Sequence, residues 1–253
     1  MTKNKIALIT GGSRGLGRDM ALSLARQGTD IILTYRTIQS EAYTTIMDIE
    51  AMGRKAVSLQ LDMADFGSLD QFVENLTKTL ADQWSTDSFD FLINNAGMGA
   101  TVPFLEVKEA LFDEFLNVHF KGVFFLTQKC VPMIQSGGRI INISSGTTRI
   151  SNPGYSVCAS MKGAVETFTK YLAKELGAKG ISANIVAPGP VETDFNHAAI
   201  RNNPEFKARL SSFSPLGRVG NADDIGGVIA FLCSPEAKWI NGQRIEVSGG
   251  IHV

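Results

Sequence analysis

The sequence predicts an α/β fold: one doubly wound parallel sheet of seven strands, flanked by helices, in a single domain. Three observations predict it. Short apolar runs alternate with stretches of helical spacing along the whole chain, and such alternating βα units build parallel sheets. The turn between the first apolar run and the first helical stretch is rich in glycine. The 253 residues carry no repeat, low-complexity stretch or Pro/Gly/Ser linker that would divide them, and a chain of that length can bury one large core.

The first strand is expected near 5–10, from Ile6-Ala7-Leu8-Ile9, and the first helix near 15–28, where Met20-Ala21-Leu22-Ser23-Leu24-Ala25 keeps helical periodicity. Between them lies Thr10-Gly11-Gly12-Ser13-Arg14-Gly15-Leu16-Gly17. Strand, glycine turn and helix in that order make a cradle for a dinucleotide pyrophosphate. Glycine permits the tight turn and a close backbone approach, and the free N–H groups at the helix start face the anion. Glycines also mark ordinary turns, so this motif needs company.

A second strand near 30–35 contains Ile31-Ile32-Leu33-Thr34 and ends at Tyr35-Arg36. An NAD-binding unit of this kind places an acid at that end to accept hydrogen bonds from the adenine ribose. Tyr35 takes its place, so no carboxylate repels a 2′-phosphate, and the guanidinium groups of Arg36 and Arg14 suit one. NADP(H) is therefore the expected nicotinamide. A helix near 39–52 follows, then a third strand near 55–60, Asp62, and a helix near 66–82 for which Asp65 is the better cap. The fourth strand, near 89–94, runs into Asn94-Asn95-Ala96-Gly97, and one long helix is expected over 106–134. A fifth strand near 138–144 leads into Ser144-Ser145, a helix spans 156–178, and a sixth strand near 181–187 leads into Pro188-Gly189. The stretch 193–217 is the least regular. It sets Phe195, Ile200, Phe206 and Phe213 among polar residues, and reads either as a lid over a site or as a helical excursion packed on the body. A helix near 222–233 and a strand near 243–247 complete the pattern. Ligands of such sheets bind at the carboxyl ends of the strands, where these glycine and asparagine motifs fall.

Composition narrows the functional classes. A net charge of −1 and a pI near 6.3 give no electrostatic case for nucleic acid or anionic membrane. No apolar run is long enough to span a bilayer, and the first strand begins within a few residues of Met1. No signal peptide is expected, and the expected location is cytoplasmic. Cys130, Cys158 and Cys233 are odd in number and widely spaced, as reduced cysteines are. With His119, His197 and His252 equally scattered, no metal site is expected.

The chain resembles the short-chain dehydrogenase/reductase family, looking like its 3-oxoacyl-thioester reductase and 3-hydroxysteroid dehydrogenase branches. The resemblance covers essentially the whole chain. It rests on Thr10-Gly11 through Gly17, Asn94-Asn95-Ala96-Gly97, Ile143-Ser144-Ser145, Lys162-Gly163-Ala164, Pro188-Gly189-Pro190-Val191-Glu192-Thr193, Ile240-Asn241-Gly242-Gln243 and Ser248-Gly249-Gly250. It implies a Rossmann fold and hydride transfer between a nicotinamide and a carbonyl or carbinol carbon. It implies adenine contact by Asp62, ribose contact near Asn95, and nicotinamide contact by Val191 and Thr193. It also implies a substrate-oxygen bond from Ser145, and a ribose-holding lysine at Lys162. A substrate pocket is expected around Met98, Thr147, Tyr155 and 193–217. Only Arg149 or Arg201 would hold an anionic substrate there. A homotetramer follows from the family, paired through the helices of 106–134 and 156–178.

Two positions depart from the family pattern. Cys158 stands where the catalytic tyrosine is expected, and His119 replaces an asparagine in Asn117-Val118-His119-Phe120-Lys121-Gly122. A thiol is far shorter than a phenol, and a nearby ammonium is expected to push it toward the thiolate. Three accounts stay open: a natural variant with weak or water-mediated catalysis, a residue substituted for tyrosine, or the mark of an NADP-binding protein that does not catalyse. The functional expectation is an NADP(H)-dependent oxidoreductase interconverting a ketone and a secondary alcohol. The alternative is a non-catalytic sensor or assembly subunit.

Overall fold

A strand whose every side chain is buried must be covered on both faces, and β1 (Ile6–Ile9), β4 (Phe89–Asn94) and β6 (Ser182–Pro188) are buried at every residue. The computed structural model describes residues 4–252 and places these strands away from the edges of a seven-stranded sheet. With β2 (Asp30–Tyr35), β3 (Ala56–Gln60), β5 (Ile134–Ile143) and β7 (Arg244–Val247), the order is β3-β2-β1-β4-β5-β6-β7, parallel throughout. The order reverses direction between β1 and β4, the place where open α/β sheets part to admit a ligand.

Two apolar layers cover the sheet. On one face, α1 (Gly15–Arg26), α2 (Gln39–Ala51) and α9 (Asp223–Cys233) set Met20, Leu24, Ile49, Ile225 and Ile229 against Ala7, Ile9, Ile31 and Leu33. On the other, α3 (Leu69–Trp84), α5 (Gly122–Cys130) and α6 (Ser156–Leu176) set Phe72, Leu76, Leu126 and Leu172 against Leu8, Ile32, Leu92 and Ile140.

The helix expected over 106–134 is not continuous. It consists of α4 (Glu109–Leu116), a π-helical turn over Asn117–Lys121 and α5, and β5 already begins at Ile134. Pro132 sits in the 3₁₀ turn after α5, where its missing N–H ends the helix. The π turn inserts extra backbone at His119, whose ring points into the protein and is 1% exposed. Gly122 lets α5 lie close on the chain: a Cβ there would meet the Met63 carbonyl oxygen at 2.4 Å.

The irregular stretch 193–217 is ordered in two parts. The short turn α7 (Phe195–Ala198) holds Asn196, His197 and Ala198 at φ of +51°, +58° and +55°, a conformation that non-glycine residues adopt only under constraint. After it, α8 (Pro204–Ser212) is a conventional helix, with Pro204 at its start and the Asn203 side chain accepting the Phe206 N–H at 2.9 Å.

Candidate active site

A cleft of about 840 Å³ opens over the carboxyl ends of the central strands. Its floor is the glycine turn. Gly11 and Gly15 have φ of +64° and +54°, and a Cβ on Gly17 would lie 2.1 Å from the Gly11 carbonyl oxygen and 2.5 Å from Asn95 Nδ2. Only glycine fits there. No side chain caps the start of α1, so its first amides are left for a ligand. These features fit a dinucleotide pyrophosphate. Ser13, Arg14, Gly15, Leu16, Gly17, Asn95, Ala96, Gly97, Pro188, Gly189, Val191 and Thr193 all line the cleft.

Thr10 does not line it. Fully buried, its hydroxyl accepts the N–H groups of Asn95 and Ala96, each at 3.0 Å. It therefore clamps the β4 turn to the glycine turn rather than facing a ligand. Asn94 is also internal, donating to Thr127 Oγ1 and Asn142 Oδ1.

At the far rim stand Tyr35, Arg36, Arg14 and a residue the sequence reading missed, Glu41. Glu41 Oε2 lies 3.7 Å from Arg14 Nε, so a carboxylate shares the corner offered to a 2′-phosphate. Its one signal was its place in the first turn of the helix after β2. Asp62 lines the cleft beside this corner, while Asp65 caps the following turn through the Gly67 N–H at 3.1 Å.

The opposite end gathers Met98, His119, Ser145, Cys158 and Lys162. Ser145 Oγ accepts from Thr147 N at 3.2 Å and Thr147 Oγ1 at 2.9 Å, which leaves its own proton to donate. Thr147 thus holds Ser145 and does not itself line the cleft; nor does Tyr155. Lys162 is buried and donates to the Ile143 carbonyl at 2.7 Å. Burial pulls its ammonium below the ordinary lysine range.

Cys158, one turn earlier on α6, departs from expectation. Burial pushes its thiol above the ordinary range and outweighs the opposite pull of Lys162. Burial here thus favours the thiol over the thiolate. His119 Nε2 lies 2.9 Å from the Met98 carbonyl oxygen and 3.2 Å from the Met98 N, and its ring stacks on Phe115 at 5.1 Å. Its Nδ1 is buried without a partner. Burial, then the Lys162 charge, holds this imidazole neutral down to a pKa of about 3.

Behind Ser145 lies a charged network that the sequence reading also missed. Glu166 Oε1 accepts from Ser144 Oγ at 2.6 Å, Thr148 Oγ1 at 2.8 Å and Arg244 Nε at 2.9 Å. Arg244 also donates to the Ser145 carbonyl at 3.2 Å and to Glu246 at 3.0 Å. The signal for Glu166 was an acid one turn beyond Lys162 on α6. Arg149 joins this network through Glu246 at 2.8 Å, and Arg201 pairs with Asp194; neither arginine lines the cleft. Phe195 and His197 do. Phe195 closes on Gly99, where a Cβ would meet its ring at 2.7 Å, and Asn196 donates to Thr101 Oγ1 at 3.2 Å. Among the described residues no His/Cys/Asp/Glu cluster could hold a metal, and no helix is long and apolar enough to cross a membrane.

The family profile described as Enoyl-(Acyl carrier protein) reductase matches residues 11–252. The chain is 36% identical to the 3-oxoacyl-[acyl-carrier-protein] reductase FabG of Staphylococcus aureus over 100% of both chains. It is 34% identical to the hydroxynaphthalene reductase arp2 of Aspergillus fumigatus, over 94% of this chain and 89% of that one. Among solved structures it resembles the angucycline C-6 ketoreductase LanV with bound NADP, at 35% identity and a TM-score of 0.93, covering 98% of this chain and 95% of that one. The promiscuous reductase LugOII, which catalyses keto-reduction at C1, gives 34% identity and a TM-score of 0.93, over 99% of both chains.

Proposed function

The chain belongs to the short-chain dehydrogenase/reductase family, and from that premise we propose that it is an NADP(H)-dependent oxidoreductase interconverting a ketone and a secondary alcohol. The observation that carries this reading is the convergence, in one cleft, of the uncapped helix start at Gly15 with Ser145 and Lys162 at the other end. The relatives named as binding NADP or reducing ketones support it.

Bound NADPH supplies the hydride. The chain's own residues do the rest. The amides opening α1 hold the pyrophosphate, and Arg14 and Arg36 meet the 2′-phosphate. Lys162 holds the nicotinamide ribose, Val191 and Thr193 flank the nicotinamide, and Ser145 donates its free proton to the substrate oxygen as charge develops there. Cys158 occupies the place of the family's tyrosine. A short, protonated thiol is a poor substitute for a phenol as general acid.

That last observation also favours a second reading, a protein that binds NADP(H) without turning over substrate. NADPH consumption with a panel of ketones, and NADP⁺ reduction with secondary alcohols, separates the two. The same panel with Cys158→Tyr tests the tyrosine assignment. Since positioned acid–base groups contribute about 10²–10⁴-fold, the variant is expected to gain orders of magnitude in ketone reduction with little change in NADPH affinity. No gain while NADPH binds normally favours the non-catalytic reading.

The protein is further proposed to assemble as a homotetramer. Phe112 on α4, Phe125 on α5 and Tyr171 on α6 are exposed apolar side chains on the helices the family pairs, and Trp239, beside β7, is almost wholly exposed.

A further inference from the structure

Ser145 opens the turn Gly146–Thr148, and its neighbours on both sides converge on one oxygen. Glu166 Oε1 accepts from Ser144 Oγ at 2.6 Å and from Thr148 Oγ1 at 2.8 Å. Arg244 completes the grip. Its Nε meets the same oxygen at 2.9 Å, and one terminal nitrogen donates to the Ser145 carbonyl at 3.2 Å and to Thr148 Oγ1 at 3.1 Å. The other terminal nitrogen donates to Glu246 at 3.0 Å. A guanidinium serves these three directions from one rigid plane, which the point charge of an ammonium does not. The side chains of Glu166, Arg244 and Glu246 are 18%, 19% and 14% exposed, so the network stands largely out of water.

An ion pair withdrawn from water recovers little beyond its desolvation cost, and is weak evidence of a stabilising role. What this one fixes is geometry. The Ser145 hydroxyl accepts from Thr147 N at 3.2 Å and Thr147 Oγ1 at 2.9 Å, so the direction of its remaining proton follows the turn. The turn in turn is tied to α6. There Lys162 donates to the Ile143 carbonyl at 2.7 Å, and Glu166, one helical turn on, takes the Ser144 hydroxyl. Successive turns of one helix thus hold the lysine and the serine against the same strand end. Neither Glu166 nor Arg244 lines the cleft.

We propose that Glu166 and Arg244 are positioning residues of the reduction: they aim the Ser145 proton at the substrate oxygen and fix its place relative to Lys162. This inference rests on the ketone-reductase reading. The test uses Arg244→Met, Arg244→Lys and Glu166→Gln, each shown folded by circular dichroism, with the best ketone of the panel. The parent is whichever of the unmodified protein and Cys158→Tyr turns over faster. Arg244→Met is expected to lower kcat about 10-fold or more, because a misplacement of about 1 Å costs up to about 10²-fold. KM and the Kd for NADPH are expected to stay within about 2-fold. Arg244→Lys keeps the charge without the fork and is expected to recover only part of the loss; Glu166→Gln is expected to lower kcat in the same sense. If Arg244→Met alone does not fold, Glu166→Gln with Arg244→Met, which removes both charges together, replaces it.

Two further readouts separate aiming from mere support. In Ser145→Ala, followed as a single turnover of NADPH oxidation, Arg244→Met is expected to slow the reaction no further, since both changes act through one hydroxyl. Without any turnover, the Thr147 amide, which donates to Ser145 Oγ, is expected to exchange its hydrogen faster in Arg244→Met by NMR, with the amides of the Gly11–Gly17 turn unchanged. An undiminished kcat, an unmoved Thr147 amide, or an equal loss with and without the Ser145 hydroxyl overturns the inference and leaves the reductase reading standing. If neither the unmodified protein nor Cys158→Tyr reduces any ketone, both fall.

Discussion

His119 shows how a single side chain sets a pH dependence. In the unfolded chain it titrates near 6.5, and in the fold near 3. Above about pH 6.5 it is neutral in both states. As pH falls from there, the unfolded chain takes up a proton that the fold refuses, so stability drops by up to about 1.4 kcal/mol per pH unit. His119→Asn is expected to flatten this acid slope, read as urea midpoints at mildly acidic and neutral pH; an unchanged slope refutes the assignment. Cys158 carries the opposite sign: burial favours its neutral form, so its stabilising effect holds below the ordinary thiol pKa and fades at higher pH. Its alkylation by iodoacetamide, followed by mass spectrometry, is expected to be slow at neutral pH and to accelerate only above the ordinary thiol range. Even so it should outpace Cys130 and Cys233, which are fully buried and pushed higher still, Cys130 to about 12. Rapid alkylation at neutral pH would show a thiolate. The positions of Ser145, Cys158 and Lys162 at one end of a cleft were legible from motif order and spacing. The direction of the Cys158 shift was not, because it turns on how much solvent the fold removes, and the sequence gives only the neighbouring charge.

At the scale of elements, the seven strands and the glycine turn after the first of them were legible because apolar runs of strand length alternate with helical spacing. The break in the helix over 106–134 was not. A π turn costs no residue that propensity would flag, and Asn117 through Lys121 read as ordinary helix. Glu41 was missed for a similar reason: its meaning depends on α2 bringing it to 3.7 Å from Arg14. That pair is solvent-exposed and worth little by itself, so a phosphate can displace it. The β2 end is therefore the element on which the proposed cofactor preference rests. Arg36→Asp is expected to reverse a preference for NADPH over NADH, by repelling the 2′-phosphate and accepting from a ribose hydroxyl. Kd values for both nicotinamides, from fluorescence titration, check this. Equal affinities in the unmodified protein would remove the role of Arg14 and Arg36.

For the whole molecule, the seven-stranded parallel sheet follows from the alternation of elements, but its outer surface does not. Exposed Phe112, Phe125, Tyr171 and Trp239 are explained by neither propensity nor the core, and the proposed assembly would cover them. Light scattering at micromolar concentration is expected to give a tetramer mass, and a monomer would refute the assembly. Sequence separation across the molecule matters as well. Arg244 lies on the last strand of the sheet, yet it holds the carbonyl of Ser145, 99 positions upstream, and gives Glu166 its counter-charge. Such distant contacts form late and slowly. The cradle helix α1 and the serine are thus both completed from the far end of the chain, α1 by α9 and Ser145 by Arg244 on β7.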